Sequence, residues 1–492
     1  MSPPRATPLP QDELEATWRE LLGRKGQLRS DRKLAQLGVE LIRELGNAMR
    51  HREVLRELAE AWSEDWELTL GIASLLVEQA ARKGMDEPVL SEDTPARWAS
   101  DALRRALDAL EDPERKDPDI AGNLQASLGN ALRLCGPGED DHAQEAFDRA
   151  LKLDARRGSW WYDMGLLHKW RGRFEEGLRA NQMALEHAAH RRPALWNLAI
   201  CATGLGNGEV ARRTWSELGM PVRTDPDTDM PFVEGLPPMR VRVLSRPSPI
   251  DGTSGFPTGV GFELVWVAPL SPCHGVVQSP TFRDAPIDHG DLVLWDGAPV
   301  AEHRVSGSNP LPVFPLLEIL HRGDERRWPF VALEREPGAT KTLEEALPPG
   351  TRLFVQQERV AHHCPVCEGG VEVEYEDDHE DDHDHEAVSV PATVPASATV
   401  SATVSATVSA TVSATVPATV PATALTRGKI VLPAVMDLSV FREAWESAIG
   451  ARALVAALPK LYEELGETKR AGQEHQAWRG IERKALRQKA DR

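Results

Sequence analysis

Cysteine and histidine carry most of the chemistry this sequence could do. His362-His363-Cys364-Pro365-Val366-Cys367 sets two thiols at zinc-knuckle spacing, where a tight turn lets both sulfurs reach one tetrahedral ion. A closed site needs further ligands, and Cys273-His274 stands about 90 residues upstream inside Pro272-Cys273-His274-Gly275. Strands of a compact β domain bring such distant loops together. Cys273, His274, Cys364 and Cys367 are therefore the candidate metal ligands, with His362 or His363 as alternative nitrogen donors, and zinc is the cofactor a Cys₃His set would take. The Cys364–Cys367 pair also reads as reduced free thiols; a redox dithiol is disfavoured because no thioredoxin-like helix follows. His379, His383 and His385 lie among the carboxylates of 376–386, a mixture that binds nickel, zinc or copper weakly when flexible and otherwise reads as a solvated linker. For catalysis there are only fragments. Cys273 lies beside His274, Asp288-His289-Gly290-Asp291 forms a polar turn, and glycine-rich 252–261 lacks both a Gly-Lys-Ser/Thr ending and a following helix. Neighbours on a strand point to opposite faces, so Cys273 and His274 could cooperate only from a loop. The expectation is a non-enzyme.

The elements that would position these residues divide the chain. At 492 residues it exceeds what one core can serve. From 11 to about 218, Leu, Ala, Glu and Arg recur at three- and four-residue spacing, with Gly or Pro between the periodic runs, which predicts helices. From 232 to 370 short Val/Leu/Phe/Trp runs cut by Pro and Gly predict a mostly β domain carrying the zinc candidates, its runs Phe262–Trp266 and Leu292–Trp295 reading as core strands. Residues 371–428 join an acidic, His-rich stretch to repeats of Ser/Pro-Ala-Thr-Val, too small and uniform to specify a core, and are expected to be a disordered linker. A helical tail follows at 438–492, basic toward its end, with eight Lys/Arg against three Asp/Glu in 468–492.

The net charge is −19, and ten carboxylates unopposed by Lys or Arg fall in 372–386 alone. The acidity is therefore largely local. Nucleic-acid binding, which needs concentrated positive charge, is not expected. No stretch of about 18 apolar residues occurs to span a membrane, and the N-terminal residues lack the basic-then-apolar pattern of a secretory signal. With five scattered cysteines, these features predict a cytoplasmic, reduced protein.

Internal repetition is the most specific signal. Leu128-Gly129, Met164-Gly165 and Leu198-Ala199 recur at steps of 36 and 34, and Ala143, Gly177 and Ala211 at 34 and 34; Phe147, Asn181, Trp215 and Ala150, Ala184, Leu218 keep the same steps. Antiparallel helices approach closely only where small residues face one another, with a large residue one turn on filling the space beside the next hairpin. Gly165 against Gly177 is the tightest pair this predicts. These columns, with Trp161, resemble the tetratricopeptide repeat family over 121–220, with 11–120 reading as degenerate units of the same array. Trp66–Lys83 and Pro95–Leu110 look like one such pair, with Gly71 and Ala99 as small contacts. The sequence departs from the family at Asn181, where a large apolar residue is usual, and at His168 and Leu132, which replace a tyrosine. Asn181 should either loosen the middle hairpin or bond a backbone group.

The resemblance implies a superhelix whose first helices line a concave groove holding a protein or peptide partner, hence a scaffold or adaptor. Counting round each first helix turns Asn123, Asn130, Arg133, Tyr162, Asp163, Leu166, Lys169, Trp196, Asn197 and Ile200 toward that groove. Asn and basic side chains can grip a peptide backbone or carboxylate, and aromatic ones give anchoring area. Trp160-Trp161-Tyr162 reads as core before site. The expected fold class is α+β multidomain: a helical solenoid, a mostly β domain, a linker and a short helical tail. The alternative function, metal handling, rests on the cysteines and the His-acid tract.

Overall fold

The computed structural model describes residues 10–46, 51–82, 93–245, 261–282, 284–303, 310–334, 339–340, 342–356, 361–363, 370–372, 425–451 and 454–490. Cys364, Cys367 and the 376–386 tract lie outside them, as does the Ser/Ala/Thr/Val repeat. The chain divides into two compact units, 1–323 with 359–373, and 324–358 with 374–492.

The first unit opens with the helical array. α1 (Gln11–Gly23) packs on α2 (Arg32–Leu45), and α3 (Arg52–Ala61) rests against the hairpin of α4 (Trp66–Arg82) and α5 (Pro95–Ala109). Three further hairpins follow: α6 (Asn123–Leu134) with α7 (Asp140–Leu153), α8 (Gly158–Trp170) with α9 (Phe174–Glu186), and α10 (Arg191–Gly204) with α11 (Gly208–Glu217). Ends are set locally. The carboxylate of Asp31 accepts from the Lys33 and Leu34 amides, and Thr94 and Asn207 cap α5 and α11 in the same way. The first helices α4, α6, α8 and α10 touch in succession, as the tetratricopeptide-like reading requires.

The repeat columns explain the packing, with corrections to which neighbour each residue meets. The small residue of each first helix meets the large residue of its own second helix. A Cβ on Gly129 would stand 2.8 Å from the Phe147 ring, and one on Gly165 2.6 Å from Asn181 Nδ2. Gly177 does not face Gly165. Its missing Cβ makes room for Cys201 Sγ, 2.9 Å away on the next hairpin, and for the Lys169 amide. The large residue thus fills its own hairpin, and the small residue of the second helix admits the neighbour. Gly71 likewise opens toward Val39 of α2 and not toward Ala99. Asn181 is fully buried and donates to the Gly177 carbonyl at 2.8 Å, the backbone bond that a polar residue in this column needs.

Beyond the array, β1 (Arg223–Thr224) and β2 (Pro231–Phe232) form a small ribbon, and a sheet is built from β3 (Met239–Ser245), β4 (Gly261–Pro269), β5 (His274–Val277), β6 (Leu292–Trp295), β7 (Ala301–His303) and β8 (Leu311–His321). β8 pairs in parallel with β3 and antiparallel with β6, so β3–β4–β5–β6–β8 closes on itself. Val241, Val243, Val265, Val267, Val277, Val293 and Trp295 fill the interior, the alternate inward positions of each strand.

The β text of 232–370 does not form one domain. β9 (Arg326–Glu334) and β10 (Arg352–Val355) belong to the second unit, while β11 (Ala361–His363) and β12 (Gly370–Glu372) return to the edge of the first sheet. In the second unit β13 (Leu425–Leu432) lies between β10 and β9, and β14 (Leu454–Ala457) covers the other side of β9. The tail is helical, as expected, in α12 (Leu438–Ala451), α13 (Pro459–Glu464) and α14 (Thr468–Ala490), and it also carries that strand. Phe441, Trp445, Leu461 and Tyr462 pack on Trp328, Phe330 and Ile430. Sequence periodicity missed this arrangement because β9 and β13 are complementary only across the intervening low-complexity segment.

The close approach at Gly129 reverses the usual benefit of alanine in a helix. Gly129→Ala is expected to destabilise the array by about 1–3 kcal/mol through overpacking against Phe147. Gly38→Ala, where a Cβ would find ordinary contacts at 3.7–3.9 Å, should stabilise it by up to about 1 kcal/mol. Urea denaturation followed by circular dichroism reads both signs.

Candidate functional site

The ten groove candidates stand on three successive first helices, and the structure separates them into two groups. Lys169, Asn197, Ile200 and Arg133 are buried, whereas Asn123, Asn130, Tyr162, Asp163, Leu166 and Trp196 are half-buried. Two causes act: Arg133 is buried within the array beside Asn130 and Asp163, whereas the protein's own barrel covers Lys169, Asn197 and Ile200 at the C-terminal end of the groove.

The turn that leaves β6 fills it. Lys169 Nζ lies 2.6 Å from Asp296 Oδ2, with 3% and 4% of the two side chains exposed. The same ammonium donates to Asn197 Oδ1 at 2.9 Å. A Cβ on Gly297 would overlap the Trp196 indole, so only glycine lets the turn lie so close. Trp196 in turn stands edge-on to Trp215 at 4.9 Å. Around this polar centre the seam is apolar: Leu195, Ala199, Ile200 and Cys201 of α10 share a core with Cys273 and Leu294 of the barrel, with Leu317 and Leu320 against it. A solenoid must cover the apolar face of its last repeat, and here the barrel does so.

Toward the N-terminal side the groove stays polar. Asn130 Oδ1 accepts from Arg133 Nε at 2.8 Å, and Asn130 also hydrogen-bonds Asp163. Burial pushes the Asp163 carboxyl above the usual carboxylate range, while Arg133 and Asn130 draw it back. Burial also lowers the Arg133 guanidinium and raises the Tyr162 phenol, which shares a hydrogen bond with Asn197. The Tyr162 ring sits 4.9 Å from that of His190, a residue in the left-handed region at φ 44°. Asn123 is drawn to its own helix start, donating to the Asp119 carbonyl at 2.8 Å and accepting from Trp160. Trp160 is core, lying over Gly122, as expected for the Trp160-Trp161-Tyr162 cluster.

Sequence reasoning missed Asp296 and Gly297. Their signal was present as a Trp-Asp-Gly turn after a core strand, but nothing local ties such a turn to a helix 127 positions earlier.

The chemistry-bearing residues of the barrel are dispersed. Cys273 is fully buried, beside Ser271 and Thr203, and burial pushes its thiol up to about 12. A thiol so held is not a nucleophile at neutral pH. His274 Nδ1 is hydrogen-bonded to Ser271 Oγ at 2.5 Å and does not pair with Cys273. In the β5–β6 register His274 faces Leu294 and Val276 faces Leu292, which puts Asp288–Asp291 at the far end of the pair. There Asp291 accepts from the amides of Asp288 and Gly323 and pairs with Arg322: it shapes a turn. Among the described residues no group of three or more His, Cys, Asp or Glu gathers as metal ligands would. Among them, too, no helix is long and apolar enough to cross a membrane.

Two buried histidines give a pH test. Burial lowers both His168 and His274 to about 4. Below about 6.5 the unfolded chain takes up protons on these rings that the folded chain refuses. Stability is therefore full above pH 6.5 and falls toward pH 4, by about 1.4 kcal/mol per pH unit for each histidine. Urea midpoints from pH 7 to 5 should fall accordingly, and His274→Gln should remove about half of the slope.

No family model matches the chain and no curated protein does. Among solved structures, one titled as the MamA protein is 14% identical, spans 36% of this chain and 85% of its own, and has a TM-score of 0.27. A second MamA structure is 15% identical over 35% and 91%, with a TM-score of 0.26. YrrB, titled a TPR protein with an unusual peptide-binding site, is 16% identical over 42% and 91%, with a TM-score of 0.26.

Proposed function

We propose that this chain is an interaction scaffold that holds an extended segment of a partner protein along the open, N-terminal part of its groove. The observation that carries this reading is the half-buried row Asn130, Tyr162, Asp163 and Leu166 on α6 and α8. It offers amide, phenol, carboxylate and apolar surface at one level of the array, next to buried Arg133. Amides and carboxylates satisfy the unpaired backbone groups of an extended peptide, and Tyr162 and Leu166 supply contact area. The Arg133–Asn130–Asp163 relay keeps these groups ordered before a partner arrives, which lowers the entropy lost on binding.

The barrel has a mechanical part in this reading. By covering the last hairpin it stops the array and gives the groove a closed end, so a bound segment enters from the α4 side.

Peptides selected for binding from a displayed random library against the whole chain provide the test. Asn130→Ala with Asp163→Ala should weaken the selected peptides at least about tenfold, the range for loss of two buried polar contacts, at a temperature where circular dichroism shows both proteins folded. Trp266→Ala on the barrel exterior should leave them unaffected. Equal binding by all three proteins would place the partner surface elsewhere.

A further inference from the structure

The structure shows directly what one end of the groove holds. The turn after β6 has the features of a bound ligand: a carboxylate on a buried ammonium, a glycine backbone laid on an indole, and a shape fixed from its own side. The Asp296 amide donates to the Pro315 carbonyl at 3.1 Å, the Ala298 amide to Asp296 Oδ1 at 3.2 Å, and the Val300 amide to the Val313 carbonyl at 2.9 Å. The two sides are complementary but come from different parts of the chain.

We propose that the Asp296-Gly297 turn is a resident ligand of the groove, and that a partner segment presenting an acidic side chain next to glycine competes with it for Lys169, Asn197 and Trp196. The inference rests on the scaffold reading and names both the chemistry and the regulation of the same groove. Its physical basis is that a buried ammonium cannot be left without an anion. The end of the groove is therefore never empty: either Asp296 or an incoming carboxylate must stand on Lys169 Nζ. Binding there is an exchange, and a ligand tethered in the same chain competes at an effective concentration on the order of millimolar or above. A partner reaching the whole groove must pass that threshold, whereas one confined to Asn130 and Asp163 need not.

The probe is a dye-labelled, end-blocked peptide of residues 294–299, measured by fluorescence anisotropy against the full chain. Asp296→Asn, which keeps the size of the side chain and removes its charge, should bind the peptide at least about tenfold more tightly than the unaltered chain. A peptide with Asn in place of its Asp should lose that gain, and so should the Lys169→Met, Asp296→Asn double variant. A second measurement uses the unaltered chain. With excess peptide, amide hydrogen exchange at Gly297 and Ala298, the tip of the turn, should rise as it leaves Trp196 and Asp296 leaves Lys169, while that of α4 and α5 stays constant. Equal weak binding to the unaltered chain and Asp296→Asn, with no rise in exchange, would overturn the proposal and make the turn a permanent seam. That result would leave the scaffold reading intact if library-selected peptides still depend on Asn130 and Asp163. Loss of that dependence, with the exchange result positive, would overturn the scaffold reading instead.

Discussion

A lysine ammonium 2% exposed to water must have an anion within reach, or the helix carrying it cannot pack as it does. Lys169 ends α8 in the middle of the array, and its anion comes from a turn of the barrel. Much follows from that one requirement. The barrel is placed against α10, Gly297 must be glycine because Asp296 has drawn the backbone onto Trp196, and the apolar residues of the last hairpin find a cover. Asn197, held by the same ammonium, carries the constraint to Tyr162 and so to the open part of the groove.

The groove is thereby divided. Its closed end is a charge pair set in an apolar seam, and its open part is a polar relay in which no single charge is stripped of its neighbours. The first helices thus carry two kinds of polar site: mutually bonded amide, guanidinium and carboxylate groups on α6 and α8, and a buried charge pair against the barrel. The barrel's interior is packed with valine and Trp295, and its cysteine and histidine are turned to structural hydrogen bonds. The chemistry that the Cys and His residues suggest in isolation is thus absorbed, in the described residues, by packing.

What could be read from the sequence was what repeats. The columns through Gly129, Gly165, Phe147 and Trp215 reported real close approaches, because each is satisfied within some twenty residues of chain and recurs under the same constraint. Asn181 was legible for the same reason: an amide in a core column must find a partner, and the Gly177 carbonyl is one turn away. The pairing of Gly165 with Gly177 was misread by one helical turn, since sequence columns say that two positions are small but not which neighbour each admits. Which of the first-helix residues the barrel would bury did not follow from helical geometry. Lys169 looks the same in sequence whether a foreign carboxylate or Asp296 meets it. The second sheet was illegible because β9 and β13 are brought together across a stretch that carries no structural signal of its own.

The central claim is that Lys169 and Asp296 are coupled across the seam of array and barrel, and a double-mutant cycle measures it most directly. Lys169→Met and Asp296→Leu should each cost about 3–5 kcal/mol in urea denaturation, because each strands a buried charge, while the double variant should recover most of that loss. Additive losses, with the double variant destabilised by the sum of the two, would contradict the account.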